Sequence, residues 1–178
     1  MKWLTFDRTP VVATEQNITA WENDFGRPRE TDQDISAEAE KQYHSQQDRY
    51  HCSEAWRYAL LIYIERVFNQ HPRRGAMARL VRATIDHVRC CRRTSQTQKQ
   101  LLLPVLLAGS ETTDEDMRDY VKEYCGHWGK KTRYNMFNSV PALLDEIWAT
   151  GKWWGAVIDS KTNSLPGQGQ VVTQFLFG

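Results

Sequence analysis

The chain has 178 residues, 23 of them Lys or Arg and 22 Asp or Glu, for a net charge of +1; that length fits one domain with a sizeable core rather than two. Hydrophobic residues make up 40%, with seven Trp and seven Tyr, enough apolar surface to exclude global disorder. The near-zero charge hides an asymmetry, because residues 1–50 carry ten acidic and six basic side chains, leaving twelve acidic and seventeen basic in the remainder.

The N-terminal MKWLTFDRTP has no sustained apolar core and no small-residue cleavage site, so neither a signal peptide nor a membrane span is expected and the protein is read as intracellular. Residues 1–35 are polar, contain Pro10, Pro28 and an acidic stretch from Glu30 to Asp34, and show no period. They are expected to be mostly irregular, disordered or loosely packed, ahead of one helical domain over 36–178. Ser36 is suited to an N-cap, and Ala37, Ala39, Tyr43, Gln46, Gln47 and Tyr50 permit a helix with a thin apolar stripe. A stronger stripe follows in Trp56, Ala59, Leu60, Tyr63, Ile64, Val67 and Phe68, ending before Pro72.

Over residues 75–93 a period near 3.6 gathers Met77, Leu80, Val81, Thr84, Ile85, Val88 and Cys91 on one face and Arg79, Arg82, Arg89 and Arg93 on another. The run Leu101 to Ala108 is too short to cross a bilayer, reads as a buried segment, and is expected to end at Gly109. Thr112, three residues before Glu115, resembles a capping box with Asp114 and Asp116 beside it. The helix it would open carries Met117, Tyr120, Val121, Tyr124, Cys125 and Trp128, with Gly129, Lys130 and Lys131 as its stop. Met136, Val140, Leu143, Leu144, Ile147 and Trp148 make a further stripe that Gly151 breaks, with Pro141 placed near its start. Val171, Val172, Phe175, Leu176 and Phe177 give the tail strand-like composition, but no partner strand is visible, and the tail is expected to be irregular.

Written out, LLLPVLLAGSETTDEDMRDYVKEYCGHW followed by NMFNSVPALLDEIWATGKWW resembles the C-terminal half of the fungal-specific transcription factor domain, the helical regulatory region of fungal zinc-cluster regulators. The upstream SEAWRYALLIYIERVF resembles that family's preceding helix. In the family an apolar run ends in a small residue, a Cys or Ser, and a Glu; an acidic helix start follows, then a helix with a late E-x-W. Ala108, Gly109, Ser110, Glu111, Asp114, Glu115, Asp116, Glu146 and Trp148 match that pattern, and the likeness covers residues 53–158. It implies an all-α, irregular multi-helix bundle in the nucleus, acting between effector signals and an activation output. The partners it implies are transcriptional machinery or another regulator, with room for a small apolar effector and a homodimer.

The family's binuclear zinc cluster needs six cysteines in two closely spaced sets. This chain has four, Cys52, the pair Cys90 and Cys91, and Cys125, so the DNA-binding module is missing and strong direct DNA binding is not expected. His87, Cys91, Cys125 and His127 could be imagined around one zinc ion, yet Cys91 and Cys125 fall on apolar stripes, where cysteine acts as a small hydrophobe; no metal and no cofactor is expected. Gly126, Gly129, Lys130, Lys131 and Thr132 fall short of a phosphate loop because Tyr124 stands where a glycine is required. Ser110 lacks the second glycine of a nucleophile elbow, and Glu115 and Asp116 are explained by the helix dipole. No catalytic residue is assigned and an enzyme is not expected.

Arg79, Arg82, Arg89 and Arg93 form a candidate phosphate-contacting face, although a solvated face, or one paired with the acidic N-terminal segment, is the preferred reading. Trp56, Tyr120, Tyr124, Trp128 and Trp148 are candidate ligand or partner contacts, with core packing as their plainer role. The function expected is a transcription-factor-like regulatory domain working through ligand or protein contacts. The alternative is a small-molecule-binding helical domain, or a degenerate fragment, with no transcriptional role.

Overall fold

The computed structural model describes residues 7–23, 36–69 and 72–162. These form α1 Thr9–Ala20, α2 Ala37–Phe68, α3 Arg74–Cys90, a 3-10 turn Gln98–Leu101, α4 Leu102–Glu111, α5 Glu115–Lys131, α6 Met136–Thr150 and α7 Trp154–Thr162. No strand occurs among the described residues, and the expected all-α, irregular bundle is what they build. None of their helices is long and apolar enough to cross a membrane. The strand-like tail at 171–177 lies outside the described residues.

α4 is the centre. Leu102, Pro104, Val105, Leu106, Leu107, Ala108 and Gly109 are all buried, and α2, α3, α5 and α6 pack against the helix. Gly109 does not end the run as its sequence suggested, since α4 continues to Glu111. A Cβ at Gly109 would stand 3.2 Å from a Val121 methyl and 3.4 Å from a Leu144 methyl, so glycine lets α5 and α6 close over α4. Thr112 is likewise not the N-cap of α5. Asp114 holds that place, its carboxylate accepting from the Met117 amide, while the Thr112 hydroxyl accepts from the Asp114 amide. Gly129 lies inside α5 rather than at its stop, whereas Gly151, at φ 64°, closes α6 in the left-handed conformation that glycine adopts at little cost.

The two helical stretches anticipated on either side of residue 52 are one helix of 32 residues, because no Pro or Gly interrupts them. Ser36 caps it, accepting from the Ala39 amide. Its apolar stripe is rotated from the expected one. Cys52, Ala55, Ala59 and Ile62 face the core, while Leu60, Tyr63 and Val67 are among the exposed large hydrophobics. Small side chains at 52, 55 and 59 let α3 approach closely, and packing rather than side-chain size selects the face. α1, read from the sequence as irregular, is helical with Pro10 in its first turn, but it buries no residue; with nothing to bury it carries no period to read.

α2 and α3 run antiparallel and are fastened at both ends by buried carboxylates of α2. Near one end Glu65 accepts from the Arg73 backbone amide at 2.8 Å and pairs with its guanidinium. Near the other Asp48 accepts from the Arg92 amide at 3.0 Å and pairs with its guanidinium at 2.7 Å. Burial alone would raise both carboxyl pKa values, but for Asp48 the hydrogen bonds from the Arg92 side chain and amide, and for Glu65 those from Arg73 and Asn69, outweigh it and hold each below its ordinary value. Each therefore contributes stability that is full above about pH 4.5 and is lost as pH falls through the lowered folded-state value. Asp48→Ala is expected to cost about 2–3 kcal/mol at pH 7, and Asp48→Asn with Glu65→Gln to flatten the acid limb of a stability-versus-pH curve; denaturant unfolding at stepped pH measures both.

Candidate functional site

Four of the five candidate aromatic residues are bound into the fold. Two of them, Tyr124 and Trp128, are held by Gln98 in the 3-10 turn, which is 2% exposed and spans three elements. Its amide nitrogen donates to the Val88 and Cys91 carbonyls at the end of α3, at 3.3 and 2.9 Å. Its side-chain oxygen accepts from the Trp128 indole at 3.1 Å, and its backbone carbonyl accepts from the Tyr124 hydroxyl at 2.8 Å. Trp128 and Tyr124 are buried, and burial drives the Tyr124 phenol far above its ordinary pKa. Both α5 residues thus serve the turn.

Trp148 of α6 is half-buried, donates from its indole to the Gly109 carbonyl at 2.9 Å, and is roofed by Arg118 and Lys122 of α5. The late E-x-W of the sequence is therefore a tie between α6 and α4. Tyr120 lies under the Arg89 guanidinium, 4.6 Å from ring centroid to carbon, and burial pushes its phenol up to about 12.

The helix expected over 75–93 ends at Cys90, so Arg93 lies just beyond it; these arginines are exposed, yet two are met by acids at the start of α5 and within it. Arg82 lies 3.8 Å from Asp114 and Arg93 2.7 Å from Glu123, Arg89 covers Tyr120, and Arg79 is exposed. Among the described residues the acids facing this ridge are Asp114 and Glu123; the acidic stretch from Glu30 to Asp34 lies outside the described residues. The residues imagined around zinc separate: Cys91 and Cys125 are buried packing groups, the Cys125 thiol is pushed up by burial to about 12, His127 bonds the Arg93 carbonyl, and His87 turns to α2. Among the described residues no three His, Cys, Asp or Glu side chains group as a metal site.

Trp56 opens to an apolar cleft. It is half-buried on α2 and lines a groove of about 320 Å³ with Lys99 and Gln100 of the 3-10 turn, Leu102 and Leu103 of α4, and Tyr134, Met136 and Phe137 at the start of α6. No regular spacing in the sequence joins these residues; three separate chain segments meet there.

A second pair escaped the sequence reading. His51 and His87 face each other across α2 and α3 with their Nδ1 atoms 2.9 Å apart, and His87 stacks on Tyr58 at 5.6 Å. A shared hydrogen bond needs one imidazole as acceptor. Burial, then the neighbouring His51, lowers the His87 pKa below its ordinary 6.5, with Arg57 acting the same way and Glu54 and Asp86 opposing.

A family model described as fungal specific transcription factor domain matches residues 13–153, from within α1 to just short of α7. No curated protein and no solved structure matches the chain.

Two measurements check the geometry. Gln98→Leu keeps the volume but strands the Trp128 indole and the Cys91 carbonyl, Val88 keeping the Cys91 amide as donor, so it is expected to lower stability by about 2–4 kcal/mol, seen as a shifted denaturant midpoint with an unchanged slope. Because burial and the neighbouring His51 lower the His87 pKa, stability is full above about pH 6.5 and falls as the solution is acidified toward the lowered folded value; His87→Gln is expected to remove that part of the loss below about pH 6.5.

Proposed function

The chain belongs to the fungal specific transcription factor domain family, and from that premise we propose that it regulates transcription in the nucleus through contacts with a ligand or with another protein, without reading DNA itself. The single observation that carries this is the family match, which spans α2 to α6 entire. Transcriptional machinery or another regulator is the partner expected, and a homodimer fits the same role.

Three further features support the reading. Cys52, Cys91 and Cys125 are packing groups on three separate segments, which leaves no set of six for a binuclear cluster. The α3 arginine ridge is engaged by Asp114, Glu123 and Tyr120, so phosphate contacts there would have to compete with carboxylates already in place. The Trp56 groove, in contrast, is mostly apolar and brings together α2, the 3-10 turn, α4 and the start of α6, the kind of concave surface on which a ligand or partner is held. Tyr124 and Trp128 belong to the hydrogen-bonded core, so any functional contact falls to Trp56 and its neighbours.

Fused to an unrelated DNA-binding module, the chain is expected to change reporter transcription in a fungal nucleus, at least threefold in one direction. Trp56→Ala with Leu103→Asp should remove most of that change, whereas Arg79→Ala should not. A stably expressed nuclear fusion that leaves the reporter unmoved across growth conditions would favour the alternative, a ligand-binding helical domain or degenerate fragment with no transcriptional role. Unfused protein is expected to bind DNA weakly and with steep salt dependence; nanomolar sequence-selective binding near physiological salt would contradict that part.

A further inference from the structure

Beside the Trp56 groove lies a second cleft, of about 600 Å³, which shares Lys99 and Tyr134 with it and is otherwise lined by Thr94, Gln96, Trp128, Lys131, Thr132 and Arg133. Three cations therefore converge on one basin, and neither cleft is lined by an Asp or Glu. Ion pairs with carboxylates engage Arg57, Arg66, Arg73, Arg82, Arg92, Arg93, Arg118, Lys122 and Lys161. Lys99, Lys131 and Arg133 have no carboxylate partner among the described residues. Lys99 and Lys131 lie instead over aromatic faces, Lys99 at 5.9 Å from the Tyr134 centroid and Lys131 at 5.8 Å from that of Trp128.

We infer that the two clefts form one site for a small amphipathic anion: an aromatic or short acyl body lying in the groove against Trp56, Leu103, Met136 and Phe137, and a carboxylate, sulfonate or phosphate head held in the basin by Lys99, Lys131 and Arg133. Charge complementarity selects the head, since like charges left together without counter-charge repel and an anion relieves that repulsion. The apolar lining selects the body. Size selects a small molecule over a partner helix: the groove, at about 320 Å³, sits near the lower end of ligand pockets, about 300–1,000 Å³, and is too short for the several turns of apolar face that a docked helix presents. The inference deepens the reading of the Trp56 groove as the contact surface, and its test involves no transcription, so the two can fail separately.

The test titrates the purified full chain with 8-anilinonaphthalene-1-sulfonate and, in parallel, with N-phenyl-1-naphthylamine, the same skeleton without the sulfonate. One saturable site is expected for the sulfonate, with displacement by decanoate. Lys99→Glu, Lys131→Glu and Arg133→Glu combined should weaken sulfonate binding at least tenfold and leave the neutral probe within twofold. Trp56→Ala should weaken both. Raising salt to about 0.5 M should weaken the sulfonate alone, as screened charge contacts require. All three charge changes are at partly or fully exposed positions, and an unchanged helical circular dichroism spectrum confirms folding. Equal sulfonate affinity in parent and triple variant, or unsaturable binding of both probes, would overturn the proposal. So would displacement by an acidic helical peptide but not by decanoate, which would point to a protein partner.

Discussion

A helix with no polar face has to be surrounded, and α4 is such a helix. From Leu102 to Gly109 every residue but Leu103 is buried, so the short segment cannot lie on a surface and instead dictates that other helices enclose it. Each fully buried Leu or Val there is worth about 1.5–3 kcal/mol relative to exposure. α5 and α6 come close enough to do this only because residue 109 lacks a side chain, and the Trp148 indole then uses the Gly109 carbonyl left accessible by that approach. One glycine thus serves two contacts, and the family-like small residue at the end of the apolar run acquires a physical reason.

The second constraint is the register between α2 and α3. Asp48 and Glu65 are 17 residues apart, about 25 Å along a helix, and α3 itself has 17 residues. Two carboxylates on α2 therefore meet the backbone just before α3 begins and just after it ends. Buried ion pairs of this kind are weak contributors when compared with an apolar replacement, but breaking one partner is costly. Their effect is to reject a shifted pairing of the two helices, since a slip of one turn would leave both carboxylates buried without their arginines.

The sequence makes some of this legible and hides the rest for identifiable reasons. Met77, Val81, Ile85 and Val88, then Met117, Val121, Tyr124, Cys125 and Trp128, then Val140, Leu143, Leu144 and Ile147, announce the buried faces of α3, α5 and α6 because each packs one stripe against the core. α2 misleads because Cys52, Ala55 and Ala59 mark its contact face while bulkier Leu60, Tyr63 and Val67 stay outside. Asp48, Glu65 and Gln98 look like surface residues; only the arginines and carbonyls they meet in space justify burying them. The aromatic candidates could not be sorted for the same reason. Whether an indole or phenol is consumed by the fold depends on an acceptor from another segment, and Trp128 finds one in Gln98.

The same sorting bears on how a molecule in the clefts could alter the domain. Lys99 lies within the turn between Gln98 and Leu101, both buried, and Leu102 follows it; Gln98 has its side-chain and backbone groups committed to α3 and α5. Moving that turn would strand several buried polar groups at about 1–3 kcal/mol each, more than a weak ligand's preference between two states supplies. The opposite wall is different. Arg133, Tyr134 and Asn135 are exposed in the connection between α5 and α6, and Asn135 at the start of α6 makes no side-chain cap. A ligand engaging Arg133 and Tyr134 would therefore act on the less committed wall, next to the first turn of α6, where Phe137 enters the core.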